Sequence, residues 1–309
     1  MIGRRTFLAT TALTVLAPAR AGAATPRHGA LPRIGVLGDV NPLPWTVRTA
    51  LADLECRWAE GDAGRLGALA AELAALDVDV IVTIGAAATS AAIAAAPVTP
   101  IVFVSDGDAD DTIVRRRHVT GLRVTSEREL AGRRLDVLAE LGRPPGEVAA
   151  LTAAGDVAGE RALAALAAAA ASRGVRLHPF RVAGDGDLDV VLTRVAAAGA
   201  DALAVVPDAV LAAHAQRLVA LTMEAGLPAV YGAPAFVAAG GLVALYGDTA
   251  EVVRRVAALV ARVLAGSAPE SLPVETVADV RLAVGAPAAR RLRLALSPSL
   301  LARADTVIA

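Results

Sequence analysis

Short apolar runs rich in β-branched residues alternate along the chain with longer segments in which Ala, Leu and Arg recur with helical period. The runs lack polar alternation, which is typical of strands buried on both faces of a parallel sheet. They predict strands at residues 34–37, 78–84, 101–104, 148–151, 202–206 and 229–231. The segments between them predict helices at residues 63–76, 86–95, 127–141, 157–173, 188–197, 209–225 and 250–264.

The predicted elements fall into two series separated by a rigid turn. Arg143-Pro144-Pro145-Gly146 interrupts the alternation, and further β–α–β units follow it. Asp62, Ser126 and Asp248 stand where predicted helices begin, and their side chains suit the N-cap position. A chain of 309 residues with this alternation predicts an α/β fold of two doubly wound, Rossmann-like parallel-sheet lobes.

Composition narrows the functional classes. Charged residues make up 20% of the chain, and no stretch approaches the roughly 20 apolar residues of a membrane helix, which excludes a multispanning membrane protein. The net charge of −1 argues against nucleic acid as a partner, since no basic field is present to hold a phosphate backbone. All 30 basic residues are Arg, so Schiff-base and P-loop lysine chemistry are excluded.

The first 23 residues have the order of an export signal. Arg4-Arg5 precede a modestly apolar segment that ends in the small-residue site Ala21-Gly22-Ala23. The arginine pair favours the twin-arginine route, and a Sec signal stays open as the alternative. Cleavage after Ala23 predicts a periplasmic protein without a lipid anchor, because no Cys lies near this site. Cys56 is the only cysteine, so no internal disulfide is expected.

Motifs for enzymatic chemistry do not occur in the sequence. The four histidines are scattered, Cys56 is solitary, and neither a metal-ligand spacing nor a Gly-x-Ser-x-Gly nucleophile motif is present. Gly35-Val36-Leu37-Gly38 is too short for a dinucleotide fingerprint. We therefore expect a monomer that is not an enzyme, has no cofactor and no metal, and takes a small molecule as its partner.

Several ordered segments resemble one protein family. Arg57-Trp58-Ala59-Glu60-Gly61-Asp62 and the strand at residues 78–83 begin a series of matches that covers nearly all of the remaining chain. The later matches are residues 100–103, 119–122, 200–203, 227–231, 239–242, 246–247, 272–275 and 299–305. Together they resemble the substrate-binding proteins of ABC transporters, in particular periplasmic binding proteins of the tryptophan and tyrosine type.

The resemblance implies the type I periplasmic-binding-protein architecture, in which three crossover segments join the two lobes. The crossovers are expected near residues 122–125, 242–246 and 274–284. The N-terminal lobe is then residues 31–122 plus 247–275, and the C-terminal lobe is residues 123–246 plus 276–309. Each lobe is therefore discontinuous in sequence.

One strand-to-helix segment is the first candidate for a ligand site. Ligands of open parallel sheets bind beyond the carboxyl ends of the strands, where free N–H groups at helix N-termini favour anions. We expect Gly85, Ala86 and Ala87 to offer N–H groups to a ligand carboxylate, with a hydroxyl added by Thr89 or Ser90. The alternative interpretation is a tight turn filled by small residues.

Polar site residues are also predicted at the ends of other strands. The ammonium group of an amino-acid ligand needs a countercharge when it is buried. Asp208 is the first choice, with a helix N-cap as its alternative role, and Asp106 is the second, with a solvated acidic loop as its alternative. Gly38, Asp39 and Ser105 complete the candidate polar set.

Selectivity for an apolar ligand group is assigned to two aromatic residues. Trp45 follows the first predicted strand, and Tyr231 lies at a strand end in the other lobe, so we expect them to line opposite walls of a cleft. Trp58, Phe103 and Phe180 are interpreted as core residues.

The resemblance implies a function in solute uptake. A small ligand, such as an aromatic or other amino acid, would bind between two lobes that close on it, and the closed form would dock transiently on an ABC permease in the inner membrane. A periplasmic sensing subunit for a membrane receptor is one alternative. A family member that has lost ligand binding is another, because segments 38–55 and 105–118 are shorter than is usual in the family.

Overall fold

The structure is a computed structural model that describes residues 31–39, 52–106, 116–142, 144–277 and 280–309. The chain forms two compact units. Unit 1 comprises the described residues up to Val124 together with Thr249–Val277, and unit 2 comprises Thr125–Asp248 and Ala278–Ala309. The three passages between the units follow Val124, Asp248 and Val277, each two residues beyond the lobe boundary expected from the sequence.

Strands and short helices alternate along most of the described chain. The strands are β1 (Arg33–Gly38), β2 (Asp53–Trp58), β3 (Val80–Ile84), β4 (Ile101–Asp106), β5 (Val119–Val124), β6 (Glu147–Ala153), β7 (Arg176–Val182), β8 (Ala202–Val205), β9 (Ala229–Tyr231), β10 (Val243–Gly247), β11 (Glu275–Val277), β12 (Val280–Gly285) and β13 (Thr306–Ile308). The α-helices are α1 (Leu66–Ala75), α2 (Ala86–Ala95), α3 (Glu127–Glu140), α4 (Val157–Ala171), α5 (Leu188–Ala197), α6 (Ala209–Ala213), α7 (Ala215–Glu224), α8 (Pro234–Ala238), α9 (Thr249–Leu264), α10 (Ala286–Arg291) and α11 (Pro298–Arg303). None of the helices within the described ranges is long and apolar enough to cross a membrane.

Unit 1 is built on one parallel sheet with the strand order β11-β5-β4-β3-β1-β2. Successive side chains of a strand point to opposite faces. Ile81 and Phe103 lie on the face covered by α1 and α2, whereas Val82 and Val102 lie on the face covered by α9. Because both faces are buried, the central residues of β3 and β4 are mainly apolar, and for this reason their sequence pattern lacked polar alternation.

Unit 2 contains a seven-stranded sheet with the order β13-β12-β10-β9-β8-β6-β7. Its pairs are parallel except for β10 and β12, which run antiparallel with Val243 opposite Val284. One large hydrophobic cluster joins this sheet to its helices. The prediction of an α/β fold with two doubly wound, mainly parallel sheets is confirmed, and the antiparallel pair is the exception.

Two local features differ from the sequence pattern. Strand β2 was not predicted, because Asp53, Glu55 and Arg57 interrupt any apolar run; it lies at the sheet edge and is partly exposed along its whole length. The helix predicted over residues 209–225 is divided into α6 and α7, which meet at His214. The position of β2 at the sheet edge and the break at His214 both depend on packing, which cannot be predicted from sequence periodicity alone.

A buried arginine joins two segments of unit 2 that lie next to passages between the units. Arg134 on α3 is 1% exposed, and its Nε donates to the Leu245 carbonyl oxygen of β10 at 3.0 Å. Both of its terminal nitrogens donate to the Glu127 carboxylate in the first turn of the same helix. Because a buried guanidinium needs a countercharge and accepting oxygens, this arrangement fixes α3 against β10.

A second arginine, Arg281, forms ion pairs with two carboxylates near the passages that follow Asp248 and Val277. Arg281 on β12 donates from Nε to Asp248 Oδ2 at 3.1 Å and from Nη1 to Asp305 Oδ1 at 2.8 Å. The Leu282 N–H also donates to Asp305, at 2.8 Å. This backbone hydrogen bond is the main reason why the pKa of Asp305 is lowered, and Arg281 adds to the effect.

Removing Glu127 is expected to destabilise the protein more than removing Arg134. Glu127→Ala leaves a buried guanidinium without its countercharge, a change that typically costs about 3–5 kcal/mol. Arg134→Met removes the charge and keeps an apolar stem in the core, while Glu127, 31% exposed, retains access to water. The midpoints of urea unfolding show which of the two variants is less stable. A lower midpoint for Arg134→Met than for Glu127→Ala would contradict this interpretation.

The stabilising effect of Asp305 is expected to depend on pH. Its pKa is lower in the folded than in the unfolded protein, so ionised Asp305 stabilises the fold above its unfolded pKa and this contribution is lost as the pH falls through the folded pKa. Asp305→Asn should therefore lower the melting temperature at neutral pH and make little difference in strong acid. A melting-temperature difference that is constant across this range would show that ionisation is not involved.

Candidate functional site

The carboxyl edge of the unit 1 sheet brings together residues from three adjacent strands. Gly38 pairs in register with Ile84, and Ile84 with Val104, so β1, β3 and β4 end side by side. The predicted site residues that lie at or just beyond these ends are Gly38, Asp39, Gly85, Ala86, Ala87, Ser105 and Asp106. Sequence positions almost 70 residues apart thus share one edge because the strands are parallel.

The segment after β3 forms the N-terminus of α2. Gly85 precedes the helix with a φ of 94°, a left-handed conformation that favours glycine. Its N–H donates to the Val104 carbonyl oxygen at 2.8 Å, so the prediction that Gly85 offers this group to a ligand is wrong. Ala86 and Ala87 remain candidates, because the first N–H groups of a helix have no intrahelical partner, and Ala87 is exposed.

Thr89 does not present its hydroxyl to a ligand. The side chain is fully buried, and Thr89 Oγ1 donates to the Gly85 carbonyl oxygen at 2.9 Å. It also lies 2.8 Å from Thr83 Oγ1 in a hydrogen bond between the two hydroxyls. These contacts correct the predicted ligand role of Thr89: the residue fixes the start of α2 against β3.

Ser105 holds a buried hydroxyl for which the described part of the chain provides no partner. The residue is 2% exposed, and its Oγ has no hydrogen-bond partner among the residues that the structure describes. Side chains alternate along β4, so Ser105 lies on the same sheet face as Phe103, where α2 packs. Leaving a buried hydroxyl without a partner typically costs about 1–3 kcal/mol, so such a group calls for an explanation.

The two acidic candidates in unit 1 differ in their surroundings. Asp106 ends β4 and is exposed, and its carboxylate makes no hydrogen bond or ion pair within the described ranges. Asp39 is half-buried beyond β1, and its carbonyl oxygen accepts from the Gly61 N–H at 3.2 Å. Among the described residues, the Asp106 carboxylate therefore has no partner beside the strand ends.

Trp58 lies at the same edge and packs, partly buried, against the core of unit 1, in line with the core interpretation from the sequence. It ends β2 in register with Gly38, and it is half-buried, whereas Phe103 and Phe180 are buried as predicted. A Cβ added to Gly38 would lie 2.5 Å from Trp58 Cζ3, so the indole covers the glycine directly. The sequence signal for this contact was the glycine at the end of β1, but only the register of β2 identifies its neighbour.

In unit 2, Asp208 has a structural role that is visible in its contacts. Asp208 Oδ1 accepts from the Leu211 N–H at 3.0 Å, which makes it the N-cap of α6. Asp208 Oδ2 accepts from the Ala153 N–H at 2.6 Å and from the Thr152 hydroxyl at 3.3 Å, and the residue is 6% exposed. The alternative N-cap role is confirmed, and the role as a countercharge stays a prediction.

The aromatic residues predicted to line a cleft are placed differently. Tyr231 is fully buried in the core of unit 2, with its ring stacked on Phe236 at a centroid distance of 4.6 Å. This burial corrects the prediction, because a ring enclosed by its own unit has no face for a ligand, and it also raises the pKa of the phenol. Trp45 lies outside the described residues.

Charged groups elsewhere in the described part of the chain provide no comparable site. Within the described ranges, no group of three or more His, Cys, Asp or Glu side chains is placed to hold a metal ion. A surface groove in unit 2 between α3 and α4 is lined in part by Arg128, Arg133 and Arg173. Arg173 donates to both carboxylate oxygens of Asp136, and Arg133 pairs with Glu129, so most of the groove's positive charge is neutralised locally.

The fold of the chain is shared with solved protein structures. A conserved domain protein from Vibrio cholerae O1 biovar El Tor is 19% identical, with a TM-score of 0.62 over 90% of this chain and 100% of that chain. An ABC domain from Streptococcus pneumonia in complex with L-Trp is also 19% identical, with a TM-score of 0.61 over 90% and 100% of the two chains. At this identity the likeness shows the fold alone.

A third solved structure has the same fold with a different ligand. It is a carbohydrate transporter solute-binding protein from Agrobacterium radiobacter in complex with D-arabinose, 12% identical, with a TM-score of 0.56 over 82% of this chain and 94% of that chain. No curated protein matches the sequence significantly. The family model for ABC transporter substrate-binding proteins matches residues 50–308. The chain therefore belongs to the ABC transporter substrate-binding protein family.

Proposed function

We propose that this protein is the periplasmic solute-binding component of an ABC importer and that it binds a small ligand carrying a carboxylate. The family match and the export signal predicted over residues 1–23 support this proposal. We also propose that ligand contacts from both lobes favour a closed form, which the permease recognises. No bond is made or broken in this function.

The observation that carries the proposal is the Ser105 hydroxyl beside the N-terminus of α2, which is buried and has no partner within the described ranges. Gly85 is hydrogen-bonded to Val104, the residue before Ser105, so β4 ends directly beside the start of the helix. The Ala86 and Ala87 N–H groups and the Ser105 hydroxyl are donors of the kind that bind a carboxylate, and the helix dipole favours negative charge there. A carboxylate would supply the partner that Ser105 lacks.

An amino-acid ligand would also need a countercharge for its ammonium group. Asp106 is the better candidate, because its carboxylate is exposed and unpaired within the described ranges and lies one residue beyond Ser105. Asp208 already accepts three hydrogen bonds from its own unit, which leaves it little capacity for a ligand.

Several contacts must act together to give useful affinity. A micromolar complex requires about 8 kcal/mol, and a hydrogen bond to a charged group contributes roughly 1.5–3 kcal/mol. The carboxylate contacts alone therefore fall short once association costs are included. Apolar area, at about 25 cal/mol per Å² buried, supplies the remainder and gives selectivity.

A thermal-shift screen tests the proposed function. L-amino acids, nucleosides and neutral sugars are added separately to the mature protein. A ligand present at about 100 times its dissociation constant stabilises the folded protein by roughly 2.7 kcal/mol, so we expect a clear rise in melting temperature for members of the amino-acid set. Stabilisation by neutral sugars alone would contradict the carboxylate site, and no stabilisation by any class would indicate lost binding.

Ser105→Ala is expected to separate binding from stability. The variant removes a hydroxyl that has no partner among the described residues, so its melting temperature should be unchanged or higher, whereas ligand affinity should fall about tenfold or more. Calorimetric titration with the best ligand of the screen measures the affinity.

Thr89→Val is the matched control for this substitution. It removes a nearby buried hydroxyl that is hydrogen-bonded to Gly85 and Thr83, so it should lower the melting temperature. Equal affinity of Ser105→Ala and the unmodified protein would exclude Ser105 from the ligand site.

A further inference from the structure

We propose that three arginines of unit 2 dock the protein reversibly on an anionic phospholipid surface. These residues, Arg290, Arg291 and Arg293, lie at the end of α10 and directly after it, and we call them the basic cluster. The inference goes beyond the proposed function, because it does not depend on which solute the protein binds.

The basic cluster carries positive charge that the described part of the chain does not neutralise. Its three side chains are exposed, and their guanidinium groups have no hydrogen-bond or ion-pair partner among the described residues. Most of the other described arginines form ion pairs with carboxylates. The cluster therefore differs from the usual state of arginine in this protein.

The sequence around the basic cluster contains no carboxylate that competes for it. Residues 280–304 include five arginines and neither Asp nor Glu. The other two arginines of this stretch, Arg281 and Arg303, each pair with carboxylates elsewhere in unit 2. An anion that approaches the cluster is thus not repelled by acidic groups of the same segment.

The segment that carries the basic cluster is fixed on the core of unit 2. Leu292, Leu294 and Leu296 are partly buried and pack against the hydrophobic cluster of this unit. They alternate with the exposed residues Arg291, Arg293 and Ala295. The leucines hold the backbone in place, so the guanidinium groups are presented together on the surface.

Arg293 has a backbone conformation that favours glycine. Its φ is 56°, and it stands directly after the C-cap of α10. The Arg293 N–H donates to the Arg290 carbonyl oxygen at 3.1 Å, and the Leu294 N–H donates to the Ala289 carbonyl oxygen at 2.9 Å, which is the Schellman pattern of a helix end.

Glycine occupies the corresponding position after four other helices of this chain. With positive φ, Gly174, Gly199, Gly226 and Gly266 follow α4, α5, α7 and α9, respectively. An arginine in this conformation lowers stability relative to glycine, so its presence after α10 points to a role for its charge.

Exposed apolar side chains adjoin the basic cluster. Strand β13 lies at the edge of the unit 2 sheet, and Ile308 pairs in register with Gly285, the residue before α10. Helix α10 contacts β13 and has six residues, a length of about 9 Å. Val307 and Ile308 are 46% and 39% exposed. Cations and aliphatic side chains therefore lie close together on unit 2.

This combination fits the surface of an anionic bilayer better than a soluble anion. Guanidinium groups bind phosphate oxygens through paired hydrogen bonds, and a bilayer presents many phosphates in one plane. Aliphatic side chains gain by entering the boundary between headgroups and acyl chains, whereas a soluble phosphate offers no apolar contact. Each arginine near such a surface strengthens binding about fivefold, so three give roughly a hundredfold, which keeps the association reversible.

Docking through the basic cluster leaves the carboxyl ends of the parallel strands in unit 2 uncovered. Strands β10 and β12 run antiparallel, with Val243 opposite Val284, so β12 ends where β10 begins. The cluster follows β12 and thus lies at the amino edge of the sheet, opposite to the edge where parallel sheets bind ligands. A protein docked in this way remains beside a membrane transporter with that edge accessible.

Cosedimentation with vesicles tests the docking surface. The mature protein, residues 24–309, is mixed with vesicles of phosphatidylglycerol and phosphatidylethanolamine and, separately, with vesicles of phosphatidylcholine alone. We expect binding to the anionic vesicles at low salt, at least about tenfold weaker binding to phosphatidylcholine, and a loss of binding as sodium chloride is raised. Arg290→Gln/Arg291→Gln/Arg293→Gln should weaken binding to the anionic vesicles about a hundredfold.

A second triple variant with the same net charge is the matched control. Arg117, Arg128 and Arg262 are exposed, have no partner within the described ranges and lie on separate segments. Arg117→Gln/Arg128→Gln/Arg262→Gln removes as much positive charge, but from scattered positions. Its binding should stay within about threefold of that of the unmodified protein, because charges further apart than the Debye length do not act together.

Two further variants separate docking from stability and charge from apolar contact. Glycine suits the φ of residue 293, so Arg293→Gly should leave the melting temperature unchanged or higher while vesicle binding falls about fivefold. Val307→Ser/Ile308→Ser should weaken vesicle binding without altering its dependence on salt.

Four outcomes would overturn the inference. Absence of binding to the anionic vesicles would exclude a lipid surface. Equal losses in the two triple variants would show a general effect of net charge. Displacement from vesicles by inorganic phosphate, at an ionic strength matched with sodium chloride, would assign the cluster to a soluble anion. Binding of a glutamate-rich peptide in place of the vesicles would assign it to an acidic segment of a protein partner.

Discussion

The candidate site depends on one geometric constraint: strands that run parallel all end at the same edge of their sheet. In unit 1 this constraint brings the segments after Gly38, Ile84 and Ser105 side by side. The crossover helix α2 must begin at that edge, so its unpaired N–H groups are presented there as well. The chemistry of the site therefore follows from topology before any individual side chain is considered.

Hydrogen bonding and burial then decide which groups at that edge are available. The sequence of residues 83–89 does not show whether the polar groups of this segment are free or hydrogen-bonded. In the folded chain the Gly85 N–H is bonded to Val104 and the Thr89 hydroxyl to Gly85, whereas the buried Ser105 hydroxyl has no partner among the described residues. This distinction has no signature in sequence, because it depends on distances between neighbouring strands.

The sequence was sufficient to predict the fold, but it was not sufficient to predict which residues lie at the edges of the sheets. Strands buried on both faces must be apolar, so β3 and β4 were predictable from their composition alone. The partly exposed β2 was not predictable in this way, so the sequence did not indicate that Trp58 lies in register with Gly38. Tyr231 shows the converse error, since an aromatic residue at a strand end faces either the core or the surface, and its stacking on Phe236 decides for the core.

Arginine performs every cationic role in this chain, and several of its ion pairs lie near the passages between the units. Arg255 on α9 donates to Glu251 at 2.5 Å and to Glu275 at 2.9 Å, close to two passages on the side of unit 1. In unit 2, Arg281 donates to Asp248, the last residue before one of these passages. The planar guanidinium suits such bridging, because it can hold two carboxylates in fixed directions.

The unsatisfied hydroxyl of Ser105 also implies a conflict between two kinds of selection. A population of variants chosen only for heat resistance, without solute, would replace this serine by alanine at no loss. If Ser105 contacts the ligand as proposed, growth that relied on uptake of a scarce nutrient would restore the serine, and thermostable forms obtained by the first route would capture their solute poorly.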